Sequence, residues 1–163
     1  MKKIISLIII VLFLLQAVSA QFIKADLQAA GLTCSMCSRA VDKQLRTLDF
    51  VDSVGIDLEH TLFVIYFKKN KTVDFSQIKK KIEDAGFTVA SLKPVFEFSN
   101  QKVENGSSFV YQNITYNFIK AEPKTLNAGV AFAIVDKGFV TDKEYRKYAG
   151  RITAAKNVYH VIL

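Results

Sequence analysis

The chain has no tryptophan, and only two prolines, two cysteines, two methionines and two histidines occur among its 163 residues. Two cysteines allow a single pair. That excludes a disulfide-stapled scaffold and a four-cysteine structural zinc site. Two prolines and seven scattered glycines leave no Pro/Gly-rich linker, so close packing of successive segments is expected. No phosphate-cradling glycine loop, hydrolase triad or dense basic–aromatic run is visible. The expectation is therefore a protein that is neither an enzyme nor a nucleic-acid binder.

One long apolar run exists, at the start. Lys2 and Lys3 precede Ile4–Leu15, and Ala17-Val18-Ser19-Ala20 ends in a small-x-small pattern. This order is that of an export signal, with a mature chain starting at Gln21. The run is shorter than the roughly 20 residues a spanning helix needs, so no integral membrane protein is expected after cleavage. Losing Lys2 and Lys3 but no acidic residue lowers the formal charge from +7 to +5. Export places the chain in the periplasm or outside the cell, where neighbouring thiols tend to oxidise.

Along the mature chain, two segments differ in texture. Residues 21–94 read as strand, helix, strand, strand, helix, strand. Phe22 to Leu27 partly alternates, and Ala40, Val41, Leu45 and Leu48 fall on one helical face. Val51 to Leu58 and Leu62 to Phe67 form a hairpin. Asp74 caps a second helix, with Gln77 as its capping-box partner and Gly86 at its end. Thr88 to Leu92 completes a ferredoxin-like βαββαβ unit, four antiparallel strands with two helices on one face.

Residues 95–163 read as a small, mostly antiparallel β domain with one helix, Asp142 to Tyr148. Asn105-Gly106 marks a hairpin turn, Val130 to Val135 a buried strand and Asn157 to Leu163 a last strand. A partly open, OB-like barrel is one arrangement of these strands. The fold class is thus α+β: residues 1–20 signal, 21–94 ferredoxin-like, 95–163 β-rich and of unknown role.

Both cysteines lie in Gly31-Leu32-Thr33-Cys34-Ser35-Met36-Cys37, between the first strand and the first helix. The unpaired amides and positive dipole end of a helix start favour thiolates. Two such sulfurs suit a low-coordinate soft cation, Cu(I) or Hg(II), and equally a reactive disulfide. Met36, between them, is a conceivable third donor, although its position turns it toward solvent. His60 and His160 read as structural. Lys68, Lys69, Lys71, Lys79, Lys80 and Lys81 could form a basic face for an acidic partner, or merely a solvated one.

This stretch resembles the Gly-Met-Thr-Cys-x-x-Cys motif of heavy-metal-associated domains, found in copper chaperones, copper P-type ATPases and the periplasmic mercury-binding protein. The resemblance runs from about Phe22 to Pro94 and takes in Val41, Val54 and Asp84-Ala85-Gly86-Phe87, with Leu32 where methionine is usual. It implies that Cys34 and Cys37 bind the metal and that Phe87 covers the site. It further implies a metallochaperone that carries Cu(I), or alternatively scavenges Hg(II), docking on a donor or acceptor protein. A thiol–disulfide redox protein is the alternative from another class. The absence of tryptophan removes the Trp-Cys flank common in thioredoxin-like proteins.

Overall fold

The computed structural model describes residues 20–32 and 34–163, so the expected signal segment lies, except for Ala20, outside the described residues. Its first strand, β1 (Phe22–Ala30), leads into α1 (Ser35–Leu45). Helix α1 buries Ser38, Val41 and Leu45 on one face. After β2 (Val51–Asp57) and β3 (Leu62–Phe67), α2 (Phe75–Asp84) buries Phe75, Ile78 and Ile82. Spacings of three, four and seven residues put each set on one stripe, as burial of an amphipathic helix requires.

Both ends of α2 are closed by local hydrogen bonds. The Asp74 carboxylate accepts from the Ser76 and Gln77 amides at 2.9 and 3.3 Å. Gln77 differs from the expected capping box: its Nε2 donates to Asp74 Oδ2 at 3.1 Å, where the box would have its side-chain oxygen accept from the Asp74 amide. At the other end Gly86 adopts φ +87°. The Gly86 amide donates to the Glu83 carbonyl and the Phe87 amide to the Ile82 carbonyl, a Schellman closure that only a left-handed residue permits. This closure sets Phe87 beside the loop that follows β1.

The chain then runs straight through the expected 94/95 boundary. Strand β4 (Thr88–Val103) is 16 residues long. It is followed by β5 (Ser108–Tyr111), β6 (Ile114–Lys120), β7 (Lys124–Ala131), β8 (Ala133–Ile134), α3 (Asp142–Tyr148), a 3-10 turn (Ala149–Arg151) and β9 (Val158–Ile162). Two sheets result, in the orders β2-β3-β1-β4-β7 and β5-β6-β9-β8. The first four strands of the larger sheet are antiparallel, as the ferredoxin-like plan requires.

Downstream of Pro94 the strands divide between the sheets and do not close into an OB-like barrel. Strand β7 leaves its neighbours to pair with β4, whose second half would otherwise present an open edge. The segment is mostly antiparallel, as expected, with β6 and β9 pairing in parallel. A parallel pair needs a long crossover, and β7, β8 and α3 supply it. The expected strand from Val130 to Val135 is broken at Phe132, where the chain changes sheet and the ring turns inward, 2% exposed.

Aromatic packing joins the two sheets into one core. Phe22 of β1 lies 4.9 Å from both Phe75 and Phe96, ring centroid to centroid, and 5.4 Å from Tyr116. Phe109 stacks on Tyr116 at 4.8 Å. The smaller sheet also touches α2, since Ser76 Oγ and the Tyr159 hydroxyl are 2.9 Å apart. A second cluster of Ile119, Val135 and Val140 lies with Tyr145 and Tyr148 of α3. Among the described residues no helix is long and apolar enough to cross a membrane.

Candidate metal centre

Gly31 turns the chain out of β1 with φ +88°, and Leu32 packs partly against the core. Cys34 is the N-cap of α1, in extended conformation. Its carbonyl accepts from the amides of Cys37 and Ser38, at 3.1 and 3.3 Å, and its Sγ accepts from the Cys37 amide at 3.2 Å. A sulfur therefore occupies the place where a serine or aspartate oxygen usually caps a helix. An amide and the helix dipole face it, and both favour the thiolate in the reduced protein.

The two sulfurs are joined as a disulfide, with Cα atoms 5.3 Å apart. Cys34 is exposed and Cys37 half-buried. Met36 is 69% exposed. Among the described residues no His, Cys, Asp or Glu completes a group of three that could hold a metal. The pair can thus do two things chemically: exchange its disulfide with a thiol, or, when reduced, present two sulfurs to one cation.

Its surroundings come from three places in the chain. A cavity of about 260 Å³ beside Cys34 is lined by Leu32, Ser35, Ser38, Leu58 and Thr61. Phe87 reaches the base of the loop, its Cδ1 lying 3.6 Å from where a Gly31 side chain would begin. Leu58 and Thr61, in the β2–β3 turn, were not singled out by the sequence. Their proximity follows from register, because Gln28 near the end of β1 pairs with Leu62 at the start of β3.

His60 closes that turn. Its Nδ1 lies 2.8 Å from Asp57 Oδ2, and its amide donates to Oδ1 at 3.1 Å. The His60 side-chain hydrogen bond, then its backbone one, holds the Asp57 carboxyl below the usual carboxylate range. His160 is fully buried in β9, far in sequence from the thiols. The expected basic face is divided. Lys68 and Lys71 bond to Asp49, Lys81 to Gln44, and Lys79 turns to the Phe139 ring, 5.6 Å away. Lys69 and Lys80 are exposed.

Residues 26–88 match the heavy-metal-associated domain family. The copper chaperone CopZ of Staphylococcus aureus is 35% identical over 63 residues, which are 39% of this chain and 91% of that protein. A probable copper-exporting P-type ATPase of Archaeoglobus fulgidus is 34% identical over 62 residues, 38% of this chain. That stretch is only 8% of the ATPase's own length. A solved CopZ metallochaperone shows 32% identity across 44% of this chain and 100% of that one, with a TM-score of 0.37. On the CopZ similarity, which spans nearly the whole of that chaperone, this chain belongs to the heavy-metal-associated domain family.

Proposed function

We propose that this protein is an exported carrier of Cu(I), held by Cys34 and Cys37 and passed on by thiolate exchange. The observation that carries the reading is the placement of both sulfurs on one exposed helical turn, with Cys34 as its cap. The copper named in its relatives supports that choice of metal. Reduction of the disulfide by a dithiol returns two thiols. Binding one Cu(I) then forms two S–Cu bonds and releases two protons. The exposed Cys34 sulfur is the first to exchange with an incoming partner thiolate, while half-buried Cys37 keeps the ion until the second exchange. No bond in an organic substrate is broken.

Residues 21–94 carry this role and 95–163 extend its core. Lys69 and Lys80 offer the free positive charge for an acidic donor or acceptor. The leader pattern of residues 1–20 supports export and removal of that segment. Anaerobic competition between the reduced protein and a Cu(I) chelator tests the proposal. One equivalent should be retained by the wild type and lost by Cys34→Ser and by Cys37→Ser. Unchanged affinity in either variant refutes it, and tight retention of Hg(II) with no Cu(I) retention replaces the cargo.

A further inference from the structure

The cavity beside Cys34 is bounded by a buried hydroxyl and a tied-down turn. Ser38, on the buried stripe of α1, is 4% exposed yet lines the cavity. The side chains of α1 and its cap that hydrogen-bond are Cys34, Asp42 and Gln44, so among the described residues the Ser38 hydroxyl has no partner. The β2–β3 turn adds Leu58 and Thr61. Leu58 is 59% exposed, too open to serve the core. Thr61 holds φ +48°, a left-handed conformation that a β-branched residue adopts only where its surroundings impose it. The Asp57 carboxylate ties this turn down: Oδ1 accepts the amides of Glu59 and His60 at 3.0 and 3.1 Å, and Oδ2 lies 2.8 Å from His60 Nδ1.

Cys34 lines this space and Cys37 does not. At about 30 Å³ for a water-sized group, its volume of about 260 Å³ holds roughly eight non-hydrogen atoms. None of the lining residues is charged: Leu32 and Leu58 are apolar, and Ser35, Ser38 and Thr61 bring hydroxyls. A compact molecule with an apolar stem and one neutral polar group matches those walls. A charged group would lose part of its hydration with no counter-charge in return, and a tripeptide is too large.

We propose that this cavity is a subsite for compact thiols, uncharged apart from the reacting sulfur, which reduce the Cys34–Cys37 disulfide from the Cys34 side. This role rests on the copper reading, in which only the reduced pair takes a cation. The thiolate of a seated molecule attacks Cys34 Sγ and forms a mixed disulfide. The Cys34–Cys37 bond breaks, and Cys37 leaves as a thiolate that the first turn of α1 stabilises through its free amides and dipole. A second molecule attacks the sulfur of the first and departs with it as the small disulfide, while Cys34 leaves as a thiolate. Two small thiols are thus oxidised to one disulfide, the protein disulfide is reduced to two thiols, and two protons pass from the former to the latter. Two such molecules do the work of one dithiol.

The test uses the full, metal-free, oxidised chain and three thiols compared at equal thiolate concentration. N-acetylcysteamine is compact and neutral, 2-mercaptoethanesulfonate is of similar size but anionic, and glutathione is larger. The reduction rate with N-acetylcysteamine should saturate, with a midpoint on the order of 1–10 mM for so few atoms. Rates with the other two should stay linear and, at about 1 mM, be about 10-fold lower, a small part of what holding a reactant in place can supply. Acid quenching should find the mixed disulfide on Cys34 and Cys37 free to be alkylated. Leu58→Ala, at an exposed turn position, and Ser38→Ala should each raise the midpoint about 5-fold, the contribution of one hydrogen bond or a comparable apolar contact, with the glutathione rate unchanged. Linear kinetics with N-acetylcysteamine, a mixed disulfide on Cys37, or an unchanged midpoint in both variants overturns the subsite. With no copper present, those results leave the copper reading standing; that reading fails separately, if the chemically reduced protein retains no Cu(I).

Discussion

Replacing Tyr116 by phenylalanine removes one oxygen from the centre of the shared core, and stability should rise. The Tyr116 side chain is 0% exposed and lies among Phe22, Phe109, Phe132 and Tyr159. Its hydroxyl has no hydrogen-bond partner among the described residues. A buried, unpaired hydroxyl costs roughly 1–3 kcal/mol. The void left by one oxygen returns part of that, so a net gain of about 1 kcal/mol is expected at pH 7. Burial also pushes the phenol far above the ordinary tyrosine value, with smaller contributions from Tyr159, Tyr111 and Asp74.

The pH dependence follows from that direction. A raised folded-state value means that the full contribution is present below the unfolded value of about 10 and is lost as pH rises above it. Between those limits each such tyrosine costs about 1.4 kcal/mol of stability per pH unit. Tyr116→Phe should therefore flatten the alkaline limb by that slope and be worth about 2–2.5 kcal/mol at pH 11. Urea unfolding followed by circular dichroism at pH 7, 10 and 11 measures both effects. A loss of more than about 1 kcal/mol at pH 7, or an unchanged alkaline slope, would refute the reasoning.

Three other outcomes are expected. Gly86→Ala should cost about 1–2 kcal/mol in urea unfolding from backbone strain alone, because nothing lies within 4 Å of the added carbon; an asparagine there should cost less. In carbon NMR titration Asp57 should ionise below the ordinary aspartate value, and His60→Ala should raise it only part of the way back, because the amides of residues 59 and 60 still donate to Oδ1. Its contribution to stability is thus present above the unfolded value and lost as pH falls through the folded one. Phe22→Ala should cost about 3–5 kcal/mol, and the loss should appear in one unfolding transition that both sheets share, since Phe22 touches rings on either side of Pro94. A second, unshifted transition would show that the halves unfold separately.

The β1-to-β4 half was legible because its signals are local. Helical stripes, the Asp74 cap, the Gly86 stop and the thiol pair at a helix start each lie within a few residues of one another. The candidate thiols needed no tertiary information, being one turn apart on the same helix. The cavity wall was less accessible: Ser38 reads as a polar helix residue, Leu58 as the last apolar residue of a strand and Thr61 as a turn residue, until strand register brings them to Cys34.

The sequence by itself determined the periodic elements, their caps and the spacing of the two sulfurs, since nearest-neighbour backbone and side-chain chemistry governs all three. Tertiary structure decided which strand covers the free edge of β4, which way β6 and β9 run, and that Phe132 turns inward. Alternation along a strand states which face is buried but not which partner lies beside it. That choice is settled by competition among distant edges for pairing and among aromatic rings for one core.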